Sequence, residues 1–177
     1  MNQSYIKGAF AAVALLACQT TFAQDAAEEP IITFKTSIYE TYGPSNAFHF
    51  VIGGSGNGYI DVDCGFGMVE YELKEAEFSS SSGAITATTV TCNVSKEGIV
   101  RVYGDASVID YFDAEGCYIS SIDIAQLKNL EILNLQHNEL KGLDLTGYNK
   151  LQAAYLADIP YRKENRLVVG PDKRDLA

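Results

Sequence analysis

The sequence predicts a mainly β protein, in which a small antiparallel β-sandwich-like region at residues 30–104 precedes a repeat array at residues 105–177. Two observations predict this fold. Short β-rich runs alternate with turn residues in the first region, and an internal repeat of about 21 residues occupies the second. With 177 residues and 47% hydrophobic composition, the chain can bury a core.

The charge balance excludes several classes of partner. Aspartate and glutamate number 23 against 13 lysines and arginines, which gives a formal net charge of -10. This excess of acid disfavours nucleic acid and anionic membrane surfaces as main partners. Two histidines and no tryptophan leave little material for a histidine-based metal or catalytic centre, so we expect no cofactor and no metal.

Residues 1–23 have the pattern of a secretory signal peptide. Lys7 precedes the apolar run AFAAVALLA, and small residues then lead to a cleavage site after Ala23. The polar residues 24–29 would form a leader. The alternative is a lipoprotein, because Leu15-Leu16-Ala17-Cys18 resembles a bacterial lipobox in which Cys18 is lipidated and retained. We therefore expect secretion, or attachment to the cell envelope through Cys18, and no transmembrane span, since no later apolar run is long enough.

The strands of the sandwich-like region follow from short runs rich in β-branched and aromatic residues. The runs lie at residues 31–34, 48–52, 59–63, 68–73, 86–94 and 99–103. The glycine-rich segment 53–58 is predicted as a hairpin loop, because it lacks the Lys-Ser/Thr ending and the following helix of a phosphate-binding loop. Asp61 and Asp63 share one face of a strand, where a solvated acidic face is favoured over a calcium site.

Three cysteines follow the predicted signal peptide. Cys64 and Cys92 can form a disulfide in an oxidising compartment, although buried free thiols are an equal alternative. Cys117 falls within the repeats at a position that tolerates a small buried side chain. We therefore expect Cys117 to be structural and not a reactive thiol.

The repeat is clearest in the segment LEILNLQHNELKGLDL at residues 130–145. Its pattern is L-x-x-L-x-L-x-x-N-x-L-x-x-L. The repeat units span about residues 109–129, 130–150 and 151–171, and each unit is expected to contain one short strand. Asn138 should bond backbone groups where the chain bends away. The pattern positions are Leu130, Leu133, Leu135, Asn138, Leu140 and Leu143, preceded by Ile109, Phe112, Ala114, Cys117, Ile119 and Ile122, and followed by Leu151, Ala154 and Leu156.

On these residues the chain resembles the secreted bacterial leucine-rich repeat proteins, and more loosely the internalin-like group. The resemblance implies a short leucine-rich repeat solenoid of about three coils, and it implies a secreted or cell-surface protein that binds partners on its concave sheet without a catalytic centre. The array is short for this group. The pattern decays after Ile159-Pro160, so we expect either a shortened relative or an open repeat edge met by a partner or by a second copy.

In this register, the residues between the buried positions of each strand should face outward. The predicted binding residues on this face are Tyr111, Asp113, Glu115, Asn134, Gln136 and Tyr155. Tyrosines, amides and acids together suit an interaction surface for a protein or a glycan. The alternatives are an envelope or matrix component that assembles through its repeat end, and a glycoside hydrolase using Asp113 and Glu115, which a shallow surface disfavours.

Overall fold

The computed structural model describes residues 28–56, 58–78, 85–157 and 159. The predicted signal peptide, Cys18, most of the leader, Asn57 of the predicted hairpin turn and the end of the third repeat lie outside these residues. Strands account for 45% and helices for 6% of the described residues. The prediction of a mainly β fold with antiparallel sheets is confirmed.

The described chain contains twelve strands and one short α-helix, α1 at Ile38–Tyr42. The strands are β1 Ile32–Thr36, β2 Ala47–Gly54, β3 Gly58–Asp63, β4 Met68–Leu73, β5 Glu77–Phe78, β6 Ile85–Thr86, β7 Thr88–Asn93, β8 Ile99–Tyr103, β9 Ile109–Asp113, β10 Ile119–Asp123, β11 Ile132–Asn134 and β12 Ala153–Tyr155. All the strand runs predicted before residue 104 have a counterpart here. Helix α1 and strand β10 were not foreseen, because neither has a periodic apolar pattern of its own.

Within the described residues, the strands form two open five-stranded sheets and a small ribbon of β5 and β6. The first sheet has the order β10-β1-β8-β3-β4 and the second has the order β12-β11-β9-β2-β7. Each sheet combines strands from both sides of residue 104. The predicted sandwich-like region and the predicted repeats therefore share their sheets.

The two sheets enclose one continuous apolar core. Phe34 of β1 meets Phe50 of β2 edge to face, with ring centroids 5.6 Å apart. Phe50 also meets Phe112 of β9 at 5.8 Å, which connects the front strands to the repeats. All three rings are fully buried, and burial of this kind is the main source of stability in a domain of this size.

The strands β9, β11 and β12 run parallel, in contrast to the antiparallel pairing of the rest. Their register pairs Tyr111 with Ile132 and Ile132 with Ala153, so each strand is offset from the next by the 21 residues of the sequence repeat. The connecting backbone bonds recur with the same offset, since Ala114 N donates to Asn134 O and Leu135 N donates to Tyr155 O. The predicted period of 21 residues is therefore also the number of residues between equivalent positions on neighbouring parallel strands.

Asn138 holds the bend after β11, as its place in the repeat predicts. Its Nδ2 donates to the carbonyl oxygens of Ala114 at 2.8 Å, Leu135 at 2.9 Å and Gln136 at 3.2 Å. Its Oδ1 accepts from the N–H of Ile119 at 2.8 Å. The side chain is buried, so these bonds replace water for backbone groups of two successive repeats.

The prediction that residues 53–58 form a hairpin loop is wrong, because β2 and β3 lie in different sheets and do not pair with each other. Gly58 at the end of the segment is the first residue of β3. Gly53 and Gly54 belong to β2 and pair with β9. Close packing explains the two glycines, because a Cβ on Gly53 would lie 2.8 Å from the Cβ of Ala76, and one on Gly54 would lie 2.6 Å from the carbonyl oxygen of Val108. Both distances are too short for any larger residue.

Cys64 and Cys92 are joined by a disulfide, which settles the alternative that the sequence left open. Cys117 is free and buried. Its Sγ lies 3.3 Å from the carbonyl oxygen of His49. Burial raises the pKa of the Cys117 thiol to about 12, which keeps it protonated and supports the expected structural role.

Replacement of Asn138 by alanine should destabilise the protein by about 2–4 kcal/mol, because it leaves buried backbone groups without partners. Urea unfolding followed by circular dichroism measures the loss. Asn149→Ala is the matched control, since Asn149 is exposed. A loss no greater than that of the control would contradict the role given to Asn138.

Replacement of Gly54 by alanine should destabilise the protein by about 1–3 kcal/mol, because the added Cβ overlaps the backbone of Val108. Gly58→Ala is the control, since no atom lies within 4 Å of a Cβ at that position. Thermal unfolding of the two variants should separate them clearly. Equal midpoints would show that β2 and the turn before β9 are less closely packed than described.

Candidate functional site

The six predicted binding residues lie on or just after the three parallel strands. Asp113, Asn134 and Tyr155 occupy equivalent positions on β9, β11 and β12, and the register places them side by side. Tyr111 stands two residues before Asp113, while Glu115 and Gln136 follow the ends of their strands. We call this set, Tyr111, Asp113, Glu115, Asn134, Gln136 and Tyr155, the outer polar ladder.

Hydrogen bonds connect members of the outer polar ladder along and between the strands. The Tyr111 hydroxyl donates to Oδ2 of Asp113 at 3.0 Å, and the Glu115 N–H donates to Oδ1 of the same carboxylate at 3.1 Å. Between strands, Nδ2 of Asn134 donates to Oε2 of Glu115 at 2.9 Å. The Gln136 N–H donates to Oδ1 of Asn134 at 3.2 Å. The sequence periodicity thus identified residues that are neighbours in space.

The expectation that all six side chains face solvent is wrong for four of them, since Tyr111, Asn134, Gln136 and Tyr155 are at most 5% exposed. For Tyr111, part of the cover is the connection after β4. Gly54 N donates to the carbonyl oxygen of Lys74, and a Cβ on Gly53 would contact both Ala76 and the Cβ of Tyr111. The repeat pattern could not reveal this cover, because the covering segment lies outside the repeats.

Burial also fixes the chemistry of Tyr111. Burial first, and then the nearby charge of Asp113, raise the pKa of the Tyr111 phenol far above its ordinary value. Tyr111 therefore remains a neutral hydrogen-bond donor to Asp113. Its role is to position that carboxylate.

The accessible end of the ladder lies at the turn that follows the strands. Glu115 and His137 are exposed, and His137 Nε2 lies 3.8 Å from Oε1 of Glu115. His137 has a φ of 57°, and the equivalent position one repeat earlier is Gly116 with a φ of 64°. The turn therefore requires left-handed backbone in both repeats. Glycine adopts this conformation without strain, whereas histidine at the equivalent position adopts it at a cost.

A pocket of about 320 Å³ adjoins this accessible end. We call it the tyrosine pocket, after Tyr42 at the end of α1 and Tyr118 before β10. The two rings pack edge to face with centroids 5.4 Å apart, and their hydroxyl groups are hydrogen-bonded to each other. The described residues that line it are Ile38, Tyr42, Asn46, Ala47, Phe48, His49, Glu115, Gly116, Cys117 and Tyr118.

Sequence reasoning missed this pocket. Its lining comes from two segments that are far apart in the chain, residues 38–49 and residues 115–118. The pairing of β1 with β10 and of β2 with β9 brings these segments together. Those pairings join the front region to the repeats. The available signal was the aromatic and polar composition of residues 38–49, which by itself identifies no partner segment.

A second carboxylate cluster lies at the opposite end of the parallel strands. Asp110 and Glu131 stand in equivalent repeat positions, and Gln152 follows them, with its Nε2 donating to Oε2 of Glu131 at 2.8 Å. Oδ1 of Asp110 is buried and has no hydrogen-bond partner in the described structure. Burial, followed by the charges of Glu131 and Glu75, raises the pKa of the Asp110 carboxyl.

No group of three or more histidine, cysteine or acidic side chains suited to a metal ion occurs among the described residues. Asp63, one of the two acids considered for calcium, accepts from the N–H of Gly65 at 2.7 Å and lies 3.8 Å from the Arg101 guanidinium. In the described part of the chain, no helix has the length and apolar character needed to cross a membrane.

Comparisons with family models, with curated proteins and with solved structures give no match for this chain. The geometry of the outer polar ladder and of the tyrosine pocket is therefore the basis for a function.

Replacement of Asp110 by asparagine should stabilise the protein at pH 7. An acid whose pKa is raised by folding destabilises the folded state once it ionises, and this penalty disappears as the pH falls through the raised pKa toward the ordinary value of 3.8. The increase in melting temperature should therefore shrink on acidification. Thermal unfolding between pH 7 and pH 3.5 measures it.

Asp144→Asn is the control, and its effect on stability at neutral pH should be opposite to that of Asp110→Asn. Hydrogen bonds from Thr146 lower the pKa of the exposed Asp144 carboxyl. Its contribution to stability is present at neutral pH and is lost as the pH falls through the lowered pKa. A stabilising effect of Asp110→Asn that stayed constant across the pH range would contradict the assignment to ionisation.

Proposed function

We propose that the chain is a secreted or cell-surface recognition protein of the leucine-rich repeat type, which binds a protein or a glycan through the outer face of β9, β11 and β12. The 21-residue strand offset supports this proposal, as do the buried apolar positions of successive repeats and the bonds of Asn138. Export through the signal peptide, or attachment through a lipidated Cys18, belongs to the same proposal.

The observation that carries the proposal is the internal organisation of the outer polar ladder. Its buried members form hydrogen bonds that fix Asp113 and Glu115, and Glu115 and His137 remain exposed at the end of the strands. A recognition surface gains affinity when its polar groups are held in place before the ligand arrives, because less freedom is lost on binding. The ladder has this property.

The same geometry favours recognition over glycoside hydrolysis. A glycosidase of the usual kind uses two carboxyl groups that both reach the substrate. Both carboxylate oxygens of Asp113 already accept hydrogen bonds from within the protein, which leaves Glu115 as the accessible member of the pair. We therefore propose a protein without catalytic activity at this face.

Assembly through the repeat edge is the second candidate function. Among the described strands, β12 pairs only with β11, so its other edge has no described partner strand. An unpaired strand edge can accept a further strand. Sedimentation of the purified protein over a hundredfold range of concentration tests this candidate, and a strict monomer throughout would exclude it.

Removal of the charge of Glu115 should weaken ligand binding without loss of fold. The test uses the full chain on a panel of immobilised extracellular matrix proteins and polysaccharides, with Glu115→Gln and His137→Asn as variants. Loss of a hydrogen bond to a charged group corresponds to roughly a tenfold decrease in affinity for the captured ligand. Asparagine at position 137 retains access to left-handed backbone.

Glu70→Gln is the matched control, because Glu70 is an exposed glutamate on β4 in the other sheet. It should bind as the unaltered protein does, and all three variants should keep the same melting temperature within about 2 °C. Capture of a ligand that is insensitive to both Glu115→Gln and His137→Asn would reject the outer face as the binding surface.

A further inference from the structure

The electrostatic character of the tyrosine pocket is negative. Glu115 is the charged residue among its described lining, which contains no lysine and no arginine. Glu139 lies close by, since it accepts a hydrogen bond from Ser37 Oγ at 3.1 Å. The pKa of Tyr118 is raised first by its hydrogen bond with Tyr42 and last by the charge of Glu139. The formal net charge of -10 adds a long-range attraction for cations.

The acidic group in the pocket retains an oxygen for a ligand. Oε2 of Glu115 accepts from Asn134, which fixes the carboxylate. Oε1 lies 3.8 Å from Nε2 of His137, an ion-pair contact at the surface, and the Glu115 side chain is 40% exposed, so a donor from solvent can reach this carboxylate. A donor arriving in the pocket therefore meets a positioned carboxylate.

The aromatic wall is accessible and is held in place. Tyr42 is 52% exposed, although an aromatic ring of its size is usually covered. The hydrogen bond and the edge-to-face packing between Tyr42 and Tyr118 restrict both side chains. Restricted aromatic rings lose little freedom when a ligand packs on them.

The backbone of Tyr118 is strained. Its φ is 55°, in the left-handed region that a bulky residue rarely adopts, and Gly116 already supplies left-handed backbone at this turn. Strain of this kind is retained where the side chain is needed in one position. Here the position places the Tyr118 ring against Tyr42 at the edge of the pocket.

From these observations we propose that the tyrosine pocket binds the guanidinium group of an arginine presented by a protein partner. A guanidinium group pairs with a carboxylate and stacks on aromatic rings, and the pocket provides one carboxylate and two tyrosines. A neutral sugar would use the rings but would gain nothing from the negative charge. The inference rests on the proposed function, since Glu115 belongs to both the ladder and the pocket.

A peptide titration followed by NMR tests the inference. The full chain, labelled with ¹⁵N, is titrated with acetyl-Gly-Arg-Gly-amide and separately with the same peptide carrying citrulline, which has the shape of arginine without its charge. Saturable shifts at the amides of residues 42–49 and 115–118 are expected with arginine and not with citrulline. Binding should weaken as the salt concentration rises.

The variants have matched controls. Tyr42→Leu and Glu115→Gln should each weaken arginine binding about threefold or more. Tyr42→Phe should retain binding, because the ring remains. Tyr59→Leu and Glu131→Gln should change nothing, since Tyr59 is an exposed tyrosine on β3 outside the pocket and Glu131 accepts a hydrogen bond from an amide group as Glu115 does.

The possible failures are distinguishable. Equal shifts with citrulline, shifts with methyl glucoside but not with the arginine peptide, or unchanged binding by Tyr42→Leu would each overturn the arginine pocket. If the panel captures a ligand through Glu115 and His137 while the arginine peptide gives no shifts, the pocket proposal fails and the proposed function stands. If the panel captures nothing while the peptide saturates the pocket, the role of the ladder fails and the arginine pocket stands.

Discussion

Strand β9 carries the constraint on which the rest of the structure depends. One edge pairs antiparallel with β2 and the other pairs parallel with β11. Phe112 of β9 is fully buried against Phe50, so the same strand also anchors the core. The parallel strands with the 21-residue offset begin at β9, and its pairing with β2 joins them to the antiparallel strands. The strands before and after residue 104 thereby share both sheets and one apolar core.

The sequence predicted most of the strands because their signal is local. Alternating β-branched and aromatic residues produce β1 to β4, β7 and β8, and the apolar period places Leu133, Leu135 and Leu140 in the core. Strand β10 was missed because its ISSID sequence is largely polar and because, among the described strands, it pairs only with β1, which lies far away in the chain. Gly53 and Gly54 were misread as loop residues because their reason for being glycine is contact with distant atoms of Ala76 and Val108.

The candidate site also has a part that the sequence predicts and a part that it does not. Asp113, Asn134 and Tyr155 could be grouped from the sequence, because a repeat with a constant period fixes which residues are neighbours. Their burial could not be predicted, since the connection that covers Tyr111 belongs to another part of the chain. The tyrosine pocket is a stronger case, because Tyr42 and Tyr118 are 76 residues apart in the chain and are brought together by the pairing of β1 with β10 and of β2 with β9. Pairing between strands that are far apart in the chain is therefore the feature that a single sequence predicts least well.

The disulfide between Cys64 and Cys92 determines what happens when a protease cuts the chain between them. It closes a loop with a sequence separation of 28, which includes β4, the serine-rich segment 79–83 and the start of β7. A protease that cuts the chain once anywhere inside this loop produces two fragments that remain attached to each other. One fragment carries β1 to β3, and the other carries the repeats. In an oxidising environment, the disulfide would therefore keep the two fragments of a cut molecule joined. Their strands could then remain paired in the two sheets that they share.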